Sequence, residues 1–297
     1  MVTLRQLQIF LAVARRQHVT AAARDVHLSQ SAVSAALREL ASGLGGPLFV
    51  PSGRRIELNE RGRRLLDDAA DLLQRVDDLV HRYRRGGAIT GRVRLGASTT
   101  IGMYLLPELL AGFVQQHPDV DVDLQVGNSE TIEARVLARE LDAAFIEGPK
   151  TAAAIDAWPF RDDELCVFVA AGHPLAGRRC RPSRLAKERW VVREQGSGTR
   201  AVLVAALREH GLEAADAVTF GHSEAVKQGV RSGLGLGCLS TLALRRELAN
   251  GEFVRVKVQG LDLRRRLWHI ERRGAFRCAA LTACLGALGV GGRPETK

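Results

Sequence analysis

Only five of the 297 residues are cysteine. Cys166, Cys180, Cys238, Cys278 and Cys284 contain no CxxC pair and are odd in number, which argues against a disulfide framework and a zinc site. Buried thiols in a reduced compartment are the expectation, and Cys180, among Arg178, Arg179 and Arg181, is the one placed to favour a thiolate. No apolar run reaches the roughly 18 residues that a membrane span needs. The N-terminus is polar from Thr3 onward instead of a charged patch before an apolar core, so the expected location is cytoplasmic. The enzyme signatures GxSxG, GxxxxGK[ST] and HExxH are also missing. The glycines of SGLGLGCLS follow a helical stretch and do not open one, so they make no dinucleotide fingerprint. Catalysis would have to rest on Ser98 or Ser197 with His222, oriented by Glu147, and no enzyme activity, metal or cofactor is expected.

What is present is a soluble composition with 46% hydrophobic and 26% charged residues, long enough for about two domains. The net charge of +10 points to a polyanionic partner. Its placement is informative: residues 1–66 carry ten arginines against Asp25, Glu39, Glu57 and Glu60. Residues 67–81 reverse the sign, with Asp67, Asp68, Asp71, Asp77 and Asp78 against Arg75.

Within the basic segment, Leu4, Leu7, Phe10, Leu11 and Ala14 recur at helical spacing. Thr20 is expected to cap a short helix, TAAARDV, and Ser29 the next one, SQSAVSAALREL. Two short helices so closely spaced predict a helix-turn-helix. On the second, Val33, Ala36, Leu37 and Leu40 form the stripe to be buried. Gln30, Ser31, Ser34, Ala35 and Arg38 form the outer stripe, whose small hydroxyls, amide and guanidinium suit the major groove. The run LFVPSGRRIELN then predicts a hairpin with Arg54 and Arg55 at its tip, a DNA-binding wing or a solvated turn.

The run from Leu4 to Leu66, above all TAAARDVHLSQSAVS, resembles the N-terminal domain of LysR-type transcriptional regulators. The resemblance implies a winged helix-turn-helix over residues 1–59, with double-stranded operator DNA and RNA polymerase as partners. This sequence departs from the family at Gln17, His18 and Val19, and at Ala41. Val50 and Pro51 replace the usual acidic-arginine pair, which weakens the expected wing contact.

Asn59 is expected to cap a linker helix over 60–85, in which Leu65, Ala69, Leu72, Val76, Leu79 and Tyr83 repeat at coiled-coil steps. Leu66, Leu73 and Val80 add a second apolar line. Pairing with a second copy is the expectation, and packing on the chain's own second domain is the alternative. Residues 86–92 hold three glycines and read as a hinge.

From 93 to 297 strand-like and helical patterns alternate, predicting an α/β domain with a largely parallel sheet and enough strands for two lobes. The first lobe is expected over about 93–161 and 269–290, the second over about 162–268. The multidomain fold is thus α+β, with an α/β module behind the winged helix. Ligands are expected past the carboxyl ends of strands, where Ser98, Thr99, Thr100, Asn128, Ser129, Glu147, Gly198, Thr199 and Arg200 fall. Hydroxyls, amides and helix N-termini with one guanidinium suit a small anion. Arg200 either faces that ligand or pairs with Glu194 or Glu147.

The runs GASTTIGMYLLPELLAGFVQQHPDVDVDLQVGNSETI, DAAFIEG, AAGHPLA, REQGSGTR and SGLGLGCLS resemble the effector domain of the same family. They are most similar to its branch of sulfur-assimilation and carbon-fixation regulators. The resemblance implies a two-lobed fold like type 2 periplasmic binding proteins. It also implies effector contacts at Ser98, Thr99, Thr100, Asn128, Ser129, Gly198 and Thr199, with sulfite, sulfate or a small organic acid as ligand, and a homodimer or homotetramer.

Overall fold

Thr3 opens the first helix with a capping box: its hydroxyl accepts from Gln6 N, and the Gln6 side chain accepts from Thr3 N. The computed structural model describes residues 1–53, 55–84, 88–148 and 152–291. Helix α1 (Leu4–Arg16) buries Leu7, Phe10 and Leu11 of the predicted stripe together with Ile9 and Val13, whereas Leu4 is exposed and Ala14 half-buried. Gln17 ends it in the left-handed region at φ 50°, and its carbonyl accepts from Ile56 N at 3.0 Å. That reversal brings α2 (Val19–Asp25) and α3 (Gln30–Gly43) back across α1.

The hairpin forms where expected, as β1 (Phe49–Ser52) antiparallel to β2 (Arg55–Leu58). Pro51 sits inside β1, which this two-stranded edge position tolerates. Asn59 caps α4 (Glu60–Arg84), its Oδ1 accepting from Gly62 N at 2.8 Å. Gly62 is required by close approach, since a Cβ there would lie 2.1 Å from Leu48 O. Two small cores hold this unit: Phe10, Leu40, Leu48 and Ala69 anchor one, and Ile9, Val13, Ala22 and Val33 the other.

Residues Met1–Gly91 and Arg92–Lys297 form two compact units. The second begins with β3 (Gly91–Ser98), α5 (Thr99–Tyr104), α6 (Leu106–Gln116), β4 (Val120–Gly127), α7 (Ser129–Leu137) and β5 (Ala143–Glu147). Strand β6 (Ile155–Ala170) follows, then β7 (Arg179–Cys180), α8 (Pro182–Leu185), β8 (Trp190–Arg193), α9 (Gly198–Glu209), β9 (Ala217–Phe220) and α10 (Ser223–Arg231). Last come β10 (Leu236–Ser240), α11 (Arg245–Ala249), β11 (Phe253–Arg255), β12 (Lys257–Val258), β13 (Arg264–Arg272) and α12 (Ala279–Ala287).

The strands join in the order β4-β3-β5-β13-β6-β10-β8-β9, with β11 also on β6. The expected parallel character holds within each lobe: β3 pairs parallel to β5, and β8 parallel to both β9 and β10. The long strands β6 and β13 run antiparallel to their neighbours, because they carry the chain between the lobes. Residues 155–164 of β6 pair with β13, and residues 165–168 pair with β10. The polar first half of β6 escapes a pattern search because Pro159 interrupts it. Its register shifts there, so that Phe160 is an extra residue between the partners of Leu267 and Trp268.

Beyond that switch the alternation is plain. Leu165, Val167 and Val169 face one core with Trp190 and Leu203, while Cys166 and Phe168 face another with Val226 and Val230. The first lobe packs α7 on its sheet through Ile132, Val136, Ala144, Ile146 and Ile270. Helix α12 returns to pack against α6 of that lobe.

Candidate functional site

Ser29 caps α3 as expected, its Oγ accepting from Ala32 N at 3.2 Å and lying 3.0 Å from Ser31 Oγ. Thr20 does not cap α2. His18, in extended backbone, takes that role through Nδ1, so the cap lies two residues earlier and Thr20 is half-buried in the first turn. On α3, Val33 and Leu40 are buried, whereas Ala36 and Leu37 are only half-buried. Gln30, Ser31 and Arg38 are exposed; Ser34 and Ala35, expected outermost, are half-buried. Arg55 is exposed on the hairpin, and Arg54 lies outside the described residues. Two other arginines of this unit serve the fold: Arg16 pairs with Asp25 and Arg5 donates to Val26 O.

Along α4, Leu65, Leu66, Ala69 and Leu73 pack into the unit's own core, so both predicted lines begin as internal contacts. Further on, Leu72, Leu79, Val80 and Tyr83 are exposed, and Val76 is half-buried.

In the second unit the carboxylate of Glu147, at the carboxyl end of β5, is the hub. It accepts from Ser98 Oγ at 3.0 Å, Thr100 N at 3.1 Å and Thr199 Oγ1 at 2.8 Å. Arg265 Nη1 adds a fourth donor at 2.7 Å. Arg265 also donates through Nε to Asp163 at 2.7 Å, through Nη1 to Thr199 Oγ1 at 3.1 Å and through Nη2 to Thr100 Oγ1 at 3.4 Å. Asp163 in turn accepts from Ser240 Oγ at 2.7 Å. Burial pushes the Glu147 carboxyl up, but the Arg265 charge and the bonds from Thr100, Thr199 and Ser98 outweigh it and hold it at about 2. For Arg265 burial works against the charged form, and Glu147 and Asp163 overcome it, leaving its pKa raised.

Thr199 comes from α9 of the second lobe, and Ser98, Thr100 and Glu147 from the first, so this centre ties the lobes together. Gly198 presses on it so closely that a Cβ would lie 2.3 Å from Glu147 O. Ser129 Oγ bonds the main-chain carbonyl and N–H of Glu147, each at 3.2 Å. Asn128 is a helix cap, accepting from Thr131 N at 2.9 Å.

A second buried arginine, Arg193, lies beside this hub. It donates to Thr99 Oγ1 at 3.1 Å and Ser223 Oγ at 2.8 Å, and pairs with Glu194 at 2.8 Å. Arg200 Nη1 donates to Arg193 O at 3.1 Å. The ion pair of Glu147 therefore goes to Arg265 and that of Glu194 to Arg193, with Arg200 on a carbonyl.

Arg193, Arg265 and Asp163 are absent from the sequence-derived site. The signal for Arg265 exists: in LDLRRRLWHI the strand alternation places the middle arginine on the same face as Leu267 and His269. An arginine on an apolar face needs a buried carboxylate, and Asp163 stands opposite it in register.

The serine-based alternative dissolves. Ser197 caps α9 by accepting from Arg200 N, Ser98 donates to Glu147, and His222 Nδ1 accepts from Glu224 N. Among the described residues no group of three or more His, Cys, Asp or Glu could hold a metal ion, and no helix is long and apolar enough to cross a membrane. Cys180 is also corrected: burial raises its pKa, and Arg184 offsets only part of that. Two open cavities lie elsewhere, one against Arg255, Lys257 and Leu263 and another against Leu105, Leu109 and Arg245.

Comparison with known proteins agrees with both units. Residues 4–63 match the family model of the bacterial regulatory helix-turn-helix protein, lysR family, and residues 86–290 that of the LysR substrate binding domain. The chain is 39% identical over 272 residues to the uncharacterized HTH-type transcriptional regulator YeiE of Escherichia coli K12, covering 92% of each. It is 35% identical over 277 residues to the RuBisCO operon transcriptional regulator of Allochromatium vinosum, covering 92% of this chain and 91% of that one. Full-length OxyR from Pseudomonas aeruginosa shares the fold, with a TM-score of 0.73 at 22% identity over 97% of this chain and 95% of the other. The Synechocystis PCC6803 CcmR regulatory domain, solved in complex with 2-PG, matches with a TM-score of 0.61 at 30% identity over 67% of this chain and 96% of the other. A winged helix-turn-helix followed by this two-lobed module, matched by both family models, places the chain in the LysR family of DNA-binding transcriptional regulators.

Proposed function

We propose that a small anion held between the two lobes of residues 92–297 controls operator binding by this regulator. One observation carries the reading: hydroxyls, a main-chain N–H and a buried guanidinium from both lobes converge on one carboxylate, Glu147. A donor set that encloses an internal carboxylate has the chemistry to enclose an external oxyanion. Small-molecule binding by the regulatory domain of CcmR supports the use of this module for an effector. Sulfite, sulfate and small organic acids are the ligand class. DNA contacts fall to Gln30, Ser31, Ser34 and Arg38 of α3, with Thr20, Ser29 and the wing arginines Arg54 and Arg55 around them. The protein acts as a homo-oligomer in the cytoplasm, with RNA polymerase as a partner in transcription. Linkage is reciprocal, so the effector and operator DNA must alter each other's affinity by the same factor.

A second reading, DNA binding without any ligand, draws on the same geometry, because Glu147 already satisfies the donors. A thermal-shift screen of inorganic and small organic anions separates the two. Stabilisation by at least one anion, with altered operator affinity in its presence, is expected; a flat response across the screen overturns the effector reading.

A further inference from the structure

We propose that Glu147 makes the cleft selective for oxyanions that still carry a proton, and that it rejects fully deprotonated tetrahedral anions of the same size. The inference rests on the anion-cleft reading given above and narrows its ligand class to oxyanions that carry a proton, which takes sulfate out of it.

The donors that surround Glu147 are already committed to it. Oε1 of Glu147 receives Ser98 Oγ and Thr100 N, and Oε2 receives Thr199 Oγ1 and Arg265 Nη1. The group is 4% exposed, so solvent cannot replace a lost donor. Charge adds a second constraint: Glu147 and Asp163 share the single guanidinium of Arg265, which leaves this buried triad at net −1.

Sulfate at neutral pH brings only lone pairs and two negative charges. To bind here it must take Thr199 or Arg265 from Glu147, which strands a buried carboxylate oxygen and sets two like charges side by side. An oxyanion with one O–H avoids the first cost, and the hydrogen bond it donates to the carboxylate offsets part of the second. Its hydrogen replaces Thr199 as the donor to Glu147 Oε2, and its bare oxygens accept from the released Thr199 hydroxyl and from Arg265 Nη2, whose present contact to Thr100 is long at 3.4 Å. A site built around such a hydrogen bond discriminates strongly, by up to about 10⁴-fold, against an analogue that lacks it. Glutamine at this position carries no charge and offers its own N–H, so the requirement for a proton on the ligand disappears.

The test is isothermal titration of the full chain and of Glu147→Gln with inorganic phosphate and with sulfate at neutral pH, with circular dichroism confirming that the variant is folded. The wild type should bind phosphate at least about 100-fold more tightly than sulfate, and the variant should bring the two within about tenfold. The wild-type comparison stands without any variant. Equal wild-type affinities overturn the inference and leave an anion cleft standing, as does a gap that persists in Glu147→Gln. Silence of both anions toward both proteins overturns this inference; the anion cleft falls with it only where the wider anion screen is flat as well.

Discussion

Thr199 of the second lobe donates its hydroxyl to Glu147 of the first at 2.8 Å, inside a shell closed by Arg265. The bond crosses between lobes and joins two residues that the sequence places 52 positions apart. Removing the hydroxyl takes one donor from the carboxylate and one acceptor from Arg265. Thr199→Ala and Thr100→Ala should each abolish the thermal stabilisation given by the best anion of the screen. Each should also lower the resting stability, Thr199→Ala by about 1–3 kcal/mol because buried charged groups lose a partner, and Thr100→Ala by less because its hydroxyl makes one long contact. Undiminished stabilisation in both variants would place the anion elsewhere.

The Glu147 carboxyl is held at about 2, so its contribution to stability has a definite pH window. A carboxyl depressed in the folded state contributes fully above its unfolded value, near 4.3, and the contribution drains away as pH falls toward 2. Glu271 acts in the same direction: burial raises it, but His269 and Arg277 bring it to about 2. Thermal melts from neutral to acid pH should therefore show a steep loss of stability below about pH 4.3. Glu147→Gln should flatten part of that slope, Glu271 supplying the remainder. Superimposable slopes would refute an ionised Glu147 as a stabilising group.

How much of this was legible depended on whether a residue's role is local. The Ser29 and Asn59 caps and the hairpin follow from neighbours in sequence and form as expected, whereas the stripes of α1 and α3 match only in part. The residues after β3, β5 and β8 do converge, because strand ends in such a sheet meet at one cleft. The partner of Glu147 was not legible. Arg265 lies 118 positions away on a strand whose inward face is set by pairing with β6, and that pairing includes a register shift at Phe160 that no alternation pattern reveals. The Thr20 cap failed for a local reason: a histidine ring nitrogen can accept from a helix N–H as a hydroxyl does, and His18 stood two residues earlier.

On the recognition helix, Arg38 is exposed and Ser34 half-buried on the same outer stripe. Arg38→Ala should weaken operator binding by about 1–3 kcal/mol, roughly 5- to 150-fold, and relax sequence preference at one base step. Ser34→Glu should weaken it as well, by setting a negative charge against the phosphates. Gel-shift titrations at fixed salt decide this. Unchanged affinity in both variants, with intact circular dichroism, would remove α3 from the groove.

The linker helix supplies the last expectation. Its first half is anchored in the N-terminal core through Leu65, Ala69 and Leu73, but Leu72 is 45%, Leu79 50% and Tyr83 81% exposed. Those three fall at successive steps of seven and four on one face of the helix, with Asp67, Asp71 and Asp77 off that face. An apolar face of that regularity is covered most simply by its own copy. Leu79→Asp with Tyr83→Asp should leave the helix-turn-helix folded, because neither residue touches its core, and should lower the mass measured by sedimentation equilibrium by disrupting the helix pair. An assembly held only by this pair would fall to the monomer; one with a second contact through residues 92–297 would fall to a dimer. A mass unchanged from the wild type would show that the face is not an interface, and operator affinity should then also remain at the wild-type level.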